Sequence, residues 1–206
     1  MTRSQAHPGG PAVEAVGLRA MRPSCYTLPA VASRHEHQNG PPPPLLLVDV
    51  DGVLSLFGFD PHDPPPGSFT MVEGIAHYLA LGAGERLGRL ARAFELVWCS
   101  GWEERANEHL PRLLGLPGEL PYISFDRCPV WGDAHWKLTS IDAFVGPDRP
   151  LAWIDDNLDE RCHRWAARRP APTLLVETHP ARGMTEREME ILLAWASRMR
   201  AGQADP

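Results

Sequence analysis

Leu45-Leu46-Leu47-Val48 places four consecutive apolar side chains directly before Asp49-Val50-Asp51-Gly52. A short run with no polar alternation reads as a strand covered on both faces, the pattern of a parallel sheet packed between layers of helices. Two carboxylates, two residues apart, at the end of such a strand are costly unless something positive sits between them. A divalent cation meets that need, and magnesium favours hard oxygen ligands. Gly52 then lets the chain turn sharply away. The same four residues also read as a pair of exposed turn carboxylates, because so short a motif recurs by chance.

The pattern recurs downstream. Glu95 to Ser100 and Leu151 to Asp156 are further apolar strands that end in polar groups, and Thr173 to Glu177 is a fourth strand. Tyr122 to Phe125 is a weaker strand candidate. Helical spacing covers residues 84–94, 102–115, 134–144 (carrying Lys137), 158–169 and 185–200, the last opened by Thr185 with Glu188 completing a capping box. Strands alternating with helices imply an α/β fold, a doubly wound, mainly parallel, Rossmann-like sheet. Ligands of such sheets bind beyond the carboxyl ends of the strands. Asp49, Asp51, Ser100, Asp155 and Asp156 all fall there.

Residues 52–80 form a Gly/Pro-rich excursion that suits a short hairpin or flap. Residues 1–43, with Gly9-Gly10-Pro11 and Pro41 to Pro44, are expected to be a disordered extension, with a short helix conceivable over 12–21. His35 and His37 are read there as polar tail residues rather than metal ligands. The catalytic domain is expected over 44–201 and a flexible tail over 202–206.

Three further positions carry candidate chemistry. Ser100 can donate a hydroxyl to a phosphate oxygen, and a helix opening at Gly101-Trp102 would favour an anion through its first N–H groups. Alternatively Ser100 only caps that helix. Of the 20 basic residues, Lys137 is the only lysine and the rest are arginine. A chain that uses arginine for generic charge and keeps one lysine suggests a site that needs a compact ammonium. Taken alone, one lysine in an arginine-biased composition reads better as chance survival. Asp155-Asp156-Asn157 again places acids after an apolar strand, as cation ligands or as a turn residue and a helix cap.

The order of these four elements resembles the four motifs of the haloacid dehalogenase-like hydrolases, over residues 45–157. Leu96 to Glu103, with Ala106-Asn107, is similar to a little-characterised bacterial branch of that superfamily. The resemblance implies a phosphomonoester hydrolase that works through an aspartyl-phosphate. Asp49 would be the nucleophile and Asp51 the acid that protonates the leaving oxygen and then activates water. Ser100, Gly101 and Lys137 would bind the phosphate. Magnesium would be held by Asp49, the backbone carbonyl of Asp51, and an acid of the Asp155–Asp156 pair. Family members that dehalogenate lack the second acid, so Asp51 implies phosphoryl transfer. Val53 stands where many family phosphatases carry threonine. Neither 53–83 nor 101–136 is long enough for a full lid domain, so the expected site is open, suited to large substrates or to small ones closed in by a partner subunit of a homodimer. Trp102, His135 and Trp136 flank the motifs as pocket lining or as packing.

The net charge of −6 and the absence of a basic tract weigh against nucleic acid as a partner. A nucleic-acid end phosphatase, which shares the DxDG and Asp-Asp signatures, is therefore the alternative enzyme, and a noncatalytic binding protein the alternative class. Cys25, Cys99, Cys128 and Cys162 have no CxxC spacing and read as reduced thiols of a cytoplasmic protein. No apolar stretch reaches the length of a membrane span, and no apolar region follows Arg3 as in a secretory signal. Pro41 to Pro44 reads as a stiff spacer.

Overall fold

A computed structural model describes residues 42–125 and 135–203. The expectations for the N-terminal extension, for Cys25 and Cys128, and for the start of the 134–144 helix lie outside those residues.

Strands β1 (Leu45–Val48), β5 (Glu95–Trp98), β6 (Leu151–Asp155) and β7 (Thr173–Glu177) form a four-stranded parallel sheet in the order β5-β1-β6-β7. The chain leaves β1 toward β5 on one side and later returns to β6 on the other. That reversal places a crevice at the carboxyl end of β1, where open α/β sheets bind ligands.

The strand side chains divide between two cores, as the pleat requires. Leu46, Val48, Leu96, Trp98, Ala152 and Ile154 face one core, with Leu87 and Leu90 of α1 (Ala83–Leu90), Ala106 and Leu110 of α2 (Arg105–Leu114), and Met189 and Leu192 of α5 (Glu186–Gln203). Leu45, Leu47, Val97, Leu151 and Trp153 face the other, with Leu138 and Ile141 of α3 (Leu138–Val145) and Cys162 of α4 (Glu160–Arg168). Burial on both faces is why these strands read as unbroken apolar runs.

The excursion after β1 is a three-stranded antiparallel sheet, order β2-β4-β3, from β2 (Ser55–Leu56), β3 (Gly67–Val72) and β4 (Ile75–Ala80). The β3–β4 hairpin leaves Phe69, Met71 and Ile75 exposed.

Four local expectations change. Tyr122 to Phe125 is no strand: it meets β5 through a single bridge, with Trp98 N–H donating to the Pro121 carbonyl at 2.8 Å and Ile123 N–H to the Trp98 carbonyl at 2.9 Å. Gly101-Trp102 opens no helix, because residues 101–104 turn and Glu103 adopts φ +49° before α2 begins at Arg105. Lys137 stands at the N-cap of α3 rather than within it. The final helix continues to Gln203, its start fixed by the expected box: the Arg187 N–H donates to Thr185 Oγ1 at 3.2 Å, and the Thr185 N–H to Glu188 at 2.9 Å.

Candidate active site

Asp49 follows the last residue of β1, and Asp155 ends β6, the strand paired beside it. Parallel pairing therefore brings two buried carboxylates to neighbouring strand ends, at 7% and 1% exposure. Lys137 answers them from the start of α3. Its Nζ lies 2.8 Å from Asp49 Oδ2 and 2.6 Å from Asp155 Oδ2, with the lysine itself 3% exposed. One cation between two carboxylates leaves a net negative charge among three side chains that are themselves nearly buried.

The surroundings fix each group. The Val50 N–H donates to Asp49 Oδ1 at 2.8 Å. Trp153 Nε1–H donates to Asp155 Oδ2 at 3.0 Å, and the Asn157 N–H to Asp155 Oδ1 at 3.0 Å. Asp155 is thus held on both oxygens. Asp156 does not cap the next helix. Asp159 does, accepting the N–H groups of Arg161 at 2.9 Å and Cys162 at 3.1 Å. The Asp156 carboxylate instead presses on the turn after β1: a Cβ on Gly52 would lie 2.3 Å from Asp156 Oδ2. Gly52 has φ +71°, and its carbonyl accepts the Thr178 hydroxyl at 2.8 Å. Both the backbone angle and the close approach call for glycine there.

Burial pushes the Asp49 carboxyl up to about 6, with Lys137 pulling down and Asp155 pushing up. Burial likewise raises Asp156, and the neighbouring Asp155 adds to it. Burial alone would lower Lys137, but the groups around it outweigh that and hold its pKa above the usual range. Burial drives the Cys99 thiol well above its ordinary range, so it is neutral and the two carboxylates are what hold the lysine charged. His135 is pushed down by burial, and its Nδ1 faces the Lys137 N–H at 3.3 Å. That leaves a neutral ring with its proton on Nε2.

A cavity of about 280 Å³ opens on this cluster, and Asp49, Asp51, Ser100, Gly101, Lys137, Asp155 and Asp156 all line it. Every candidate from the sequence is thus brought to one place. Trp136 and His135 line it too, with the Lys137 ammonium 5.1 Å from the centre of the Trp136 ring. Carboxylate oxygens of Asp49, Asp155 and Asp156 lie within 4.8 Å of one another. An all-oxygen donor set that is short of positive charge fits magnesium better than a soft metal. Ser100 is buried, and its hydroxyl sits 3.5 Å from the Trp102 N–H, at the limit of hydrogen bonding.

Sequence reasoning left Trp102 between pocket and packing and gave Trp153 no role. Trp102 Nε1–H donates to Asp51 Oδ2 at 2.9 Å, and Trp153 serves Asp155 in the same way. The available signal was position: each tryptophan stands two residues from a motif residue, and a buried indole N–H needs an acceptor.

A family model described as the HAD domain in Swiss Army Knife RNA repair proteins matches residues 45–189. Comparison with curated proteins finds no match.

Proposed function

Because the chain belongs to the family of the HAD domain in Swiss Army Knife RNA repair proteins, whose HAD domains are generally hydrolases, we propose that it is a magnesium-dependent phosphatase acting through a phosphoryl group carried on Asp49. The observation that carries this reading is the Lys137 ammonium held between Asp49 and Asp155, beside a third carboxylate on Asp156. Structure alone has no use for three buried or half-buried acids and one lysine in a cavity. A site that must receive a dianionic phosphate and a cation does.

Asp49 Oδ attacks phosphorus. The Asp51 carboxyl gives its proton to the departing oxygen, and its carboxylate then takes a proton from the water that cleaves the acyl phosphate. Lys137 keeps Asp49 ionised and faces the phosphoryl oxygens, and Ser100 adds a hydroxyl donor. Asp49, Asp156 and the Asp51 carbonyl are the groups we assign to the metal, which supplies charge neutralisation between nucleophile and substrate. Asp155 already accepts from Lys137, Trp153 and Asn157, so Asp156 has the more coordination capacity to spare. The test is p-nitrophenyl phosphate hydrolysis with magnesium, with EDTA, and with Asp49→Asn. Turnover that needs magnesium and vanishes in the variant supports the reading; turnover that survives the substitution removes Asp49 as nucleophile.

A second reading concerns the substrate. The description of the matching family favours a nucleic-acid end over a small metabolite. Trp136, 42% exposed at the cavity, and Phe69, 70% exposed on the hairpin, offer faces on which a base can stack. The net charge of −6 opposes long-range attraction of a polyanion. Oligoribonucleotides phosphorylated at the 5′ or 3′ end, compared with the matching mononucleotides, decide between them. Higher kcat/KM on the oligomer favours the nucleic-acid end, and equal or lower kcat/KM the small phosphoester. A homodimer, a cytoplasmic setting and a separate N-terminal extension remain our proposals. Among the described residues no helix is long and apolar enough to cross a membrane.

A further inference from the structure

Asp51 stands where two cavities meet. It lines the one that holds Asp49 and Lys137, and it also lines a second, of about 310 Å³, between the β3–β4 hairpin and α2. Its side chain is about half exposed, at 49%. An acid in that position needs something to aim it. Trp102 Nε1–H donates to Oδ2 at 2.9 Å, while Oδ1 lies 3.9 Å from His77 Nδ1, beyond hydrogen-bond reach. The indole is itself held. His77 packs edge-on against it at 4.7 Å between ring centres, and His77 Nδ1 lies 3.1 Å from Ser55 Oγ on β2.

An indole N–H donates and never accepts. The carboxyl oxygen that receives it is favoured as the carbonyl oxygen of the acid form, which leaves the proton to the other oxygen. We infer that Trp102 is a positioning residue for Asp51: its indole N–H pins Oδ2 and so reserves Oδ1 for proton exchange with the leaving group and then with water. The inference rests on the reading of Asp51 as the acid and base of the site. In the first step the Asp49–phosphorus bond forms, the bond from phosphorus to the leaving oxygen breaks, and the Oδ1 proton moves to that oxygen, leaving Asp51 as a carboxylate. In the second step water adds to phosphorus and the Asp49–phosphorus bond breaks. The water proton returns to Oδ1, and inorganic phosphate leaves.

Leaving-group dependence separates this role from packing. Nitrophenolate departs without help, whereas an alkoxide must be protonated as it leaves. The experiment compares kcat/KM of wild type and Trp102→Phe on p-nitrophenyl phosphate and on a simple alkyl phosphate, with magnesium, because kcat/KM reads only the step in which the leaving group departs. We expect the variant's kcat/KM to fall about tenfold more on the alkyl ester than on the nitrophenyl ester. In an Asp51→Asn background the same substitution should cost nothing further on the alkyl ester. A second variant, with 3-benzothienylalanine at position 102, keeps the bicyclic shape and removes only the N–H; it should reproduce the selective loss even where phenylalanine packs poorly. Equal losses on both esters, no loss on either, or full additivity with Asp51→Asn overturn the inference while leaving the nucleophile untouched. Activity that persists in Asp49→Asn is a different failure, that of the phosphatase mechanism itself.

Discussion

At the scale of single residues the site is governed by where charge can be afforded. Lys137 is 3% exposed between Asp49 and Asp155, so its loss strands two buried carboxylates. Lys137→Met should lower stability by about 3–5 kcal/mol without magnesium, the usual consequence of removing one partner of a buried pair. The deficit should shrink on acidification, because protonation relieves the stranded acids. Denaturant titrations at neutral and acidic pH check both points. Asp49 has a sign of its own. Its folded pKa is raised from 3.8 to about 6, so its burial favours the protonated form; that contribution to stability is complete below 3.8 and lost as pH rises through 6. A cation that needs the carboxylate competes with that proton. Magnesium affinity should therefore be about tenfold weaker at pH 5 than at pH 7 in calorimetric titrations, and an unchanged affinity would mean that Asp49 is not a ligand. Gly52→Ala tests the turn. With φ +71° and a Cβ 2.3 Å from Asp156 Oδ2, it should cost about 1–2 kcal/mol in backbone strain and also displace a proposed ligand.

At the scale of elements, the seam between α2, β5 and the segment at Leu120 depends on one side chain. Asn107 Oδ1 accepts from the buried Trp98 Nε1–H at 2.9 Å and from the Leu120 N–H at 3.0 Å, while its Nδ2 donates to the Leu120 carbonyl at 2.7 Å. It ties α2, β5 and the segment that covers the sheet edge. Asn107→Ala leaves these groups without partners and should destabilise the protein by about 2–3 kcal/mol in thermal or denaturant unfolding, with magnesium affinity unchanged. The strands β1, β5 and β6 were legible because burial on both faces leaves an apolar run in each, and β7 through its Leu174-Leu175-Val176 centre. Tyr122 to Phe125 was not: its β-rich composition looks the same whether it pairs along its length or, as here, meets the sheet through a single bridge at Trp98. The helix expected at Gly101 failed for a related reason. Glu103 turns back at φ +49°, and its carboxylate accepts from the Phe125 N–H at 2.9 Å and the Ser124 hydroxyl at 3.1 Å, contacts across 20-odd residues that no local pattern carries.

At the scale of the whole molecule, the parallel sheet brings together residues far apart in the chain. Asp49, Ser100, Lys137 and Asp155 were each ambiguous alone, and their order along the sequence was the readable signal. The cavity gathers them because β5 and β6 flank β1 and all three end on the same edge. What stayed hidden were partners supplied by tertiary contact: the indoles that orient Asp51 and Asp155, the Gly52–Asp156 approach, and Asp159 rather than Asp156 as the helix cap. Among the described residues, the insertion after β1 is no more than three small antiparallel strands. The central claim is that the phosphoryl group passes through the Asp49 side chain. Acid quenching during turnover of a phosphorylated substrate with magnesium, followed by peptide mapping, tests it most directly. The account predicts a hydroxylamine-labile phosphoryl group on Asp49 that is absent from Asp49→Asn; phosphate release by Asp49→Asn at the wild-type rate, with no adduct in either protein, would contradict it.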